Sequence, residues 1–152
     1  VRAMRDHEYL SAFNAGGPTI SLDAWNNFLN GGSSIVGSVL ACRNQTCSLD
    51  PFSPMGTGGS GHALRVCSGS GCSILYVRSS GTDQGIYTTR AAGATATPYT
   101  RTVEVDDITG VQTITYGAGT LPANVLIVSK VTWKDRGVPY TISVTDVLAP
   151  WQ

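Results

Sequence analysis

The chain has 152 residues, ten basic and ten acidic side chains, a formal net charge of zero, and charged residues making up only 13% of its length. That length suits one domain that buries roughly two thirds of its unfolded-chain surface, so no metal is needed to hold it together. The neutral balance argues against a field strong enough to attract nucleic acid or an anionic membrane, and leaves a surface of Thr, Ser, Asn, Gln and Gly, a habit of extracellular and surface-assembled β proteins.

The first residues read as an amphipathic helix over 1–14. Tyr9, Ala12 and Phe13 fall on one face with Ala3 and Leu10 beside it, while Arg2, Arg5, Asp6 and Glu8 supply polar cover. Gly16, Gly17 and Pro18 end it. A second, short helix is predicted over Ser21–Asn30, with Ser21 able to cap and Leu22, Trp25, Phe28 and Leu29 at helical spacing, before Gly31 and Gly32 stop it. From Ser33 to Gly61 turn residues dominate, and the Pro, Gly and Ser of the stretch 48–61 read as a long surface loop.

Four cysteines fall in two pairs, Cys42 with Cys47 and Cys67 with Cys72, each enclosing four small or polar residues. A zinc ribbon prefers two residues between paired thiolates, so two disulfides are the favoured reading, with three connectivities open. If each pair is local, chain entropy gives about 2 kcal/mol per bridge. Disulfides imply an oxidising compartment, a periplasm or the cell exterior.

From Ala63 onward the apolar period is two. Strands are predicted over Ala63–Cys67, Cys72–Arg78, Gly85–Arg90, Tyr99–Asp106, Val111–Tyr116, Asn124–Lys134 and Val138–Val147. The last two form a hairpin in which Val131, Trp133, Tyr140, Ile142 and Val144 alternate with Thr132, Lys134, Thr141 and Ser143, and in which Lys134 to Gly137 suit a type I turn closed by a glycine. The resulting fold class is α+β: an N-terminal helix, an irregular connector and an antiparallel sheet, with the helix across one sheet face.

Catalytic signatures are weak. Of two histidines, His7 lies among charged residues on the leading helix and His62 follows a glycine-rich loop, and neither has a companion at metal-ligand spacing. The stretch 56–65 lacks the GK[ST] of a phosphate loop and leads into a strand rather than a helix, and no GxSxG elbow occurs. Neighbouring Asp106 and Asp107 point to opposite faces of a strand, unsuited to paired acid–base work, although a calcium ion held by either carboxylate and loop carbonyls is the one cofactor weighed. Asn44, Gln45 and Thr46 fit a glycosylation sequon read as incidental. Arg65, Arg78, Arg90 and Arg101 sit on separate strands, and arginines alternating with apolar residues are explained by a wet sheet face without nucleic acid. No enzymatic activity is expected.

Three stretches carry a family resemblance: the leading helix around residues 2–10, the strand from Tyr99 to Ile108, and the closing segment from Ser129 to Trp151. The chain resembles the soluble head of a bacterial type IV pilin-like protein, above all a minor pilin, or of the related minor pseudopilins of type II secretion. The resemblance implies one pilin-like domain over 1–152: residues 1–15 as the remainder of a long helix, 16–62 as connector and variable loop, and 63–152 as the sheet. It implies a structural role in pilus assembly, adhesion or DNA uptake, other pilin or pseudopilin subunits as partners, and inner-membrane anchoring before assembly through a hydrophobic helix not present in this chain. Trp133, Tyr140, Ile142 and Val144 are then expected as helix-facing core, so that truncating Trp133 costs about 3–5 kcal/mol. The connector and the loop of Ser68, Gly69, Ser70 and Gly71 are the expected partner-contact surfaces. A free periplasmic or extracellular β-rich module that binds peptide or glycan through exposed Tyr and Trp is the alternative.

Overall fold

A computed structural model describes residues 1–16, 20–31, 38–50, 63–67, 73–82, 84–106 and 112–150. Two helices open the chain, α1 (Arg2–Ala15) and α2 (Ile20–Asn30), and a 3-10 turn follows at Leu40–Cys42. The rest is strand: β1 (Cys47–Asp50), β2 (Ala63–Val66), β3 (Ile74–Arg78), β4 (Tyr87–Thr88), β5 (Ala94–Asp106), β6 (Thr113–Tyr116), β7 (Gly119–Pro122), β8 (Val125–Asp135) and β9 (Val138–Leu148).

The 13-residue β5 is the hub of a seven-stranded antiparallel sheet. One of its sides pairs with β3 along its first half and meets β1 at Val103; the other pairs with β8 from Thr100 to Asp106, and β8 carries β9 at the outer edge. The β3 ladder slips between Ile74 and Tyr76, opposite the stretch that holds Pro98. A proline has no N–H to give a ladder, and the Thr97 hydroxyl donates to the Leu75 carbonyl there at 2.7 Å. A separate hairpin, β6–β7, turns at Gly117 with φ 58°.

The core forms where α2 meets this sheet. Trp25, Phe28 and Leu29 lie at i, i+3 and i+4, so all three point the same way, and all are buried against Val103 and Val105 of β5, Val125 and Ile127 of β8 and Leu148 of β9. Removing such side chains from water stabilises by about 2–3 kcal/mol each. Trp25 and Phe28 stack with centroids 5.3 Å apart, and the Trp25 indole N–H donates to the Pro122 carbonyl at 2.7 Å, so the buried polar edge is satisfied. Gly31, at φ 88°, returns its N–H to the Asn27 carbonyl and ends α2 in the left-handed conformation glycine tolerates best.

The expected pilin-like arrangement, a leading helix lying across the sheet, is not formed. The chain is mostly antiparallel sheet with two short helices, and α2 supplies most of the helical side of the core while α1 packs on α2. The reason is the content of each face. The inward side of α1 offers Met4 and Glu8, whereas Leu10 and Phe13, expected inside, are 60% and 61% exposed. Against three large apolar side chains on α2, that stripe loses the competition for the sheet.

The region 16–62, expected as connector and loop, holds α2, the 3-10 turn and β1. Cys42 and Cys47 are both buried and bonded to each other, which rules out both crossed connectivities; Cys67 is also disulfide-bonded. Cys72, Ser68, Gly69, Ser70, Gly71, His62 and Asp107 lie outside the described residues.

Candidate docking face on the closing hairpin

The β8–β9 hairpin pairs eleven residues on each strand without a break. Its turn is not the expected type I turn over Lys134 to Gly137 but a shorter one. Asp135 pairs with Val138 across Arg136 and Gly137 alone, whose φ values are 48° and 85°. Positive φ at both central residues is the type I′ geometry, whose twist matches that of the strands and outweighs the roughly 1 kcal/mol that a non-glycine residue loses there.

Cross-strand pairing places Trp133 with Tyr140, Val131 with Ile142, Ser129 with Val144, Ile127 with Asp146 and Val125 with Leu148 on one sheet face. On β5, Arg101, Val103 and Val105 continue those rows. This is the face that α2 covers, but only at one end: Val103, Val105, Val125, Ile127 and Leu148 are buried, while Tyr140, Ile142 and Val144 are 44%, 56% and 63% exposed. Lengths explain the difference. Eleven helical residues span about 16 Å, and eleven strand residues about 37 Å, so α2 covers less than half of β9 at any orientation.

The four hairpin residues expected as helix-facing core are therefore on the right face and at the wrong end. Trp133 is half-buried because Tyr99 and Tyr140 flank it, with ring centroids 6.0 Å and 5.5 Å away, the Tyr140 ring within 16° of parallel. The opposite face of the same strands is polar in this stretch: Thr100 meets Thr132, and the Lys130 ammonium reaches the Glu104 carboxylate at 2.7 Å. The apolar row therefore continues on the face that looks towards the helices past the part that α2 covers.

Where covered and uncovered parts meet there is a hollow of about 290 Å³ bordered by Arg101, Val103, Ile127, Ser129 and Val144, with Val1 and Arg2 at its rim. Arg2 grips Asp146 with two hydrogen bonds of 2.6 and 2.7 Å, which holds the Asp146 carboxyl below the usual carboxylate range and staples the start of α1 to β9. Arg101 donates from Nη2 to the Leu49 carbonyl at 2.7 Å, and burial lowers its pKa against the opposing pull of Asp50.

The four arginines weighed for nucleic acid do not form a common row. Arg65 is exposed on β2 and Arg78 ends β3, but Arg90 is paired at 2.8 Å with buried Asp50 and Arg101 is turned into the hollow. His7 is half-buried on α1, and Asp106 is half-buried at the end of β5. Among the described residues no group of three or more His, Cys, Asp and Glu side chains is placed to hold a metal ion. No helix of the described residues is long and apolar enough to cross a membrane.

Sequence reading found Val131, Trp133, Tyr140, Ile142 and Val144 but not their setting, and missed Tyr99 and Val138 as neighbours on the face. The signal was the length of the hairpin: its alternation continues far past what an eleven-residue helix can cover. Comparison with known protein families, with curated proteins and with solved structures finds no match for this chain.

Proposed function

We propose that this chain is a non-enzymatic structural subunit of a cell-surface or periplasmic assembly, of the kind minor pilins form in type IV pili, and that it meets another subunit through the uncovered end of the closing hairpin. The observation that carries this reading is the exposed row of Val138, Tyr140, Ile142 and Val144, beside Trp133 and Tyr99, on an otherwise well-packed domain. Contiguous apolar surface of this kind marks an interaction site, and aromatic side chains dominate the energetics of such sites. The Cys42–Cys47 bridge supports an oxidising compartment. The resemblance of the closing segment to minor pilins supports the pilus, and the type II secretion counterpart rests on the same residues; the leading helix no longer contributes to either.

A free binding module is the second reading, favoured by Trp133 stacked on Tyr140 with Tyr99 tilted against it, a cluster that offers apolar ring area to a glycan or peptide at little entropic cost. Location of the native protein decides between them. Recovery in sheared surface filaments or in a membrane-associated secretion complex, reduced by Ile142→Lys, is the expected result. A native protein found only free in the periplasm or medium removes the subunit reading and leaves the binding module.

A further inference from the structure

Strand β9 lies at the outer edge of the sheet. Among the described residues β9 pairs with β8 alone, along its whole length. In a hairpin closed by a two-residue turn, the closing pair Asp135–Val138 is a hydrogen-bonded one, and bonding alternates from there. Val138, Tyr140, Ile142, Val144 and Asp146 therefore direct their backbone groups to β8, while Pro139, Thr141, Ser143, Thr145 and Val147 direct theirs outward. Pro139 agrees with this assignment, because a strand proline is tolerated where no ladder N–H is needed.

Exposed edges are normally guarded by charges, bulges or covering elements. The guards on β9 are few. Its single charged residue is Asp146, already held by Arg2, its pairing with β8 runs without a bulge, and Pro139 protects one end only.

We infer that β9 pairs antiparallel with β9 of a second copy of this chain, about a two-fold axis at Thr141. The inference rests on the reading of this hairpin as a docking surface and names the partner. An outward residue must meet an outward residue, so the axis passes through a residue rather than between two; at Val144 it sets Ile142 against Asp146, at Thr145 it sets Val144 against Asp146, and at Tyr140 the shared stretch shrinks to Val138–Ile142. The axis at Thr141 sets Ile142 beside Tyr140 of the second copy and Val144 beside Val138, and carries Asp146, with its Arg2, past the end of the partner strand, so that apolar side chains meet along the whole shared stretch. At Ser143 the axis puts Tyr140 against Asp146, and at Ile142 it puts Val138 against Asp146, leaving the carboxylate facing an apolar side chain in both cases. Pro139 then lies beside Ser143, where it accepts through its carbonyl and lacks only one donor. The two uncovered rows join into one continuous apolar strip.

Sedimentation equilibrium of the oxidised chain, with cysteine variants on β9, tests this. A dimer populated at about 100 µM is expected, weakened at least about tenfold by Ile142→Lys, whose ammonium lands on the partner's apolar row. Because Ile142 is exposed, the variant should keep its circular dichroism and melting temperature. Thr141→Cys should cross-link the dimer under mild oxidation, with α-carbons close to the roughly 5.5 Å of a hydrogen-bonded pair, while Ile142→Cys and Ser143→Cys should not. A monomer at that concentration, or a cross-link that favours Ile142 or Ser143, overturns the inference. A monomer that still enters filaments would leave the subunit reading standing, whereas a dimer absent from any assembly would remove that reading and keep the pairing.

Discussion

Trp133 and Tyr140 stack at 5.5 Å across the last hairpin, on a stretch of sheet that neither α1 nor α2 covers. Their contact belongs to a surface rather than to a core, and this changes what each side chain contributes. Trp133→Ala should cost about 1–2 kcal/mol, not the 3–5 kcal/mol of a buried tryptophan, since its rings lose one another but open no enclosed cavity. A double-mutant cycle with Tyr140→Ala, read by urea denaturation, should return a coupling of about 0.5–1.5 kcal/mol. A loss near 4 kcal/mol for Trp133 alone would mean that the face is covered.

The two helices should respond in opposite ways to truncation. Phe28→Ala removes a fully buried ring from the junction of α2 with the sheet and should destabilise by about 3–5 kcal/mol. Phe13→Ala, on the exposed side of α1, should stay within about 0.5 kcal/mol. Equal losses would indicate that α1 carries the core after all.

Tyr116 donates its hydroxyl to the Asp23 carboxylate at 2.6 Å, tying β6 to the first turn of α2. That hydrogen bond is the main reason the phenol pKa is raised above 10.0, with desolvation and the Asp23 charge adding to it. A folded-state pKa above the unfolded one means that the contribution is fully present below about pH 10 and is lost as pH rises through the folded value. Ultraviolet titration should show a tyrosine phase above the ordinary phenol range, absent in Tyr116→Phe and shifted back towards normal in Asp23→Asn. An unchanged late phase in Tyr116→Phe would refute the assignment.

Cys42 and Cys47 close a loop of five-residue separation and are both fully buried. Replacing both by serine should cost about 2 kcal/mol through chain entropy, with a further loss from placing hydroxyls in an apolar site. Replacement by alanine should cost less than serine, and thermal melts of the two double variants compare them directly. Serine and alanine variants of equal stability would show that burial of the sulfurs contributes little.

Local pattern alone determined a good deal of this protein. The alternation around Trp133 and Tyr140 marked β8 and β9 almost to their ends and the spacing of Trp25, Phe28 and Leu29 marked α2, because each of these signals is written in neighbouring residues, whereas the cysteine pairing stayed one of three until the fold joined Cys42 to Cys47. Strands β1 and β7 were missed for different reasons: β1, four residues opening on a cysteine, holds through partners distant in sequence such as Val103 of β5, whereas β7, four residues ending in proline, pairs with its neighbour β6 across a short turn but carries too little apolar alternation to mark it. Which helix takes the sheet was also beyond local reading, since α1 and α2 are both amphipathic and only the competition for one apolar face separates them. The fate of Tyr140, Ile142 and Val144 was decided in the same way. Period two says that they share a face with Leu148, but burial depends on whether another element is long enough to reach them, and a 16 Å helix over a 37 Å strand leaves them in water.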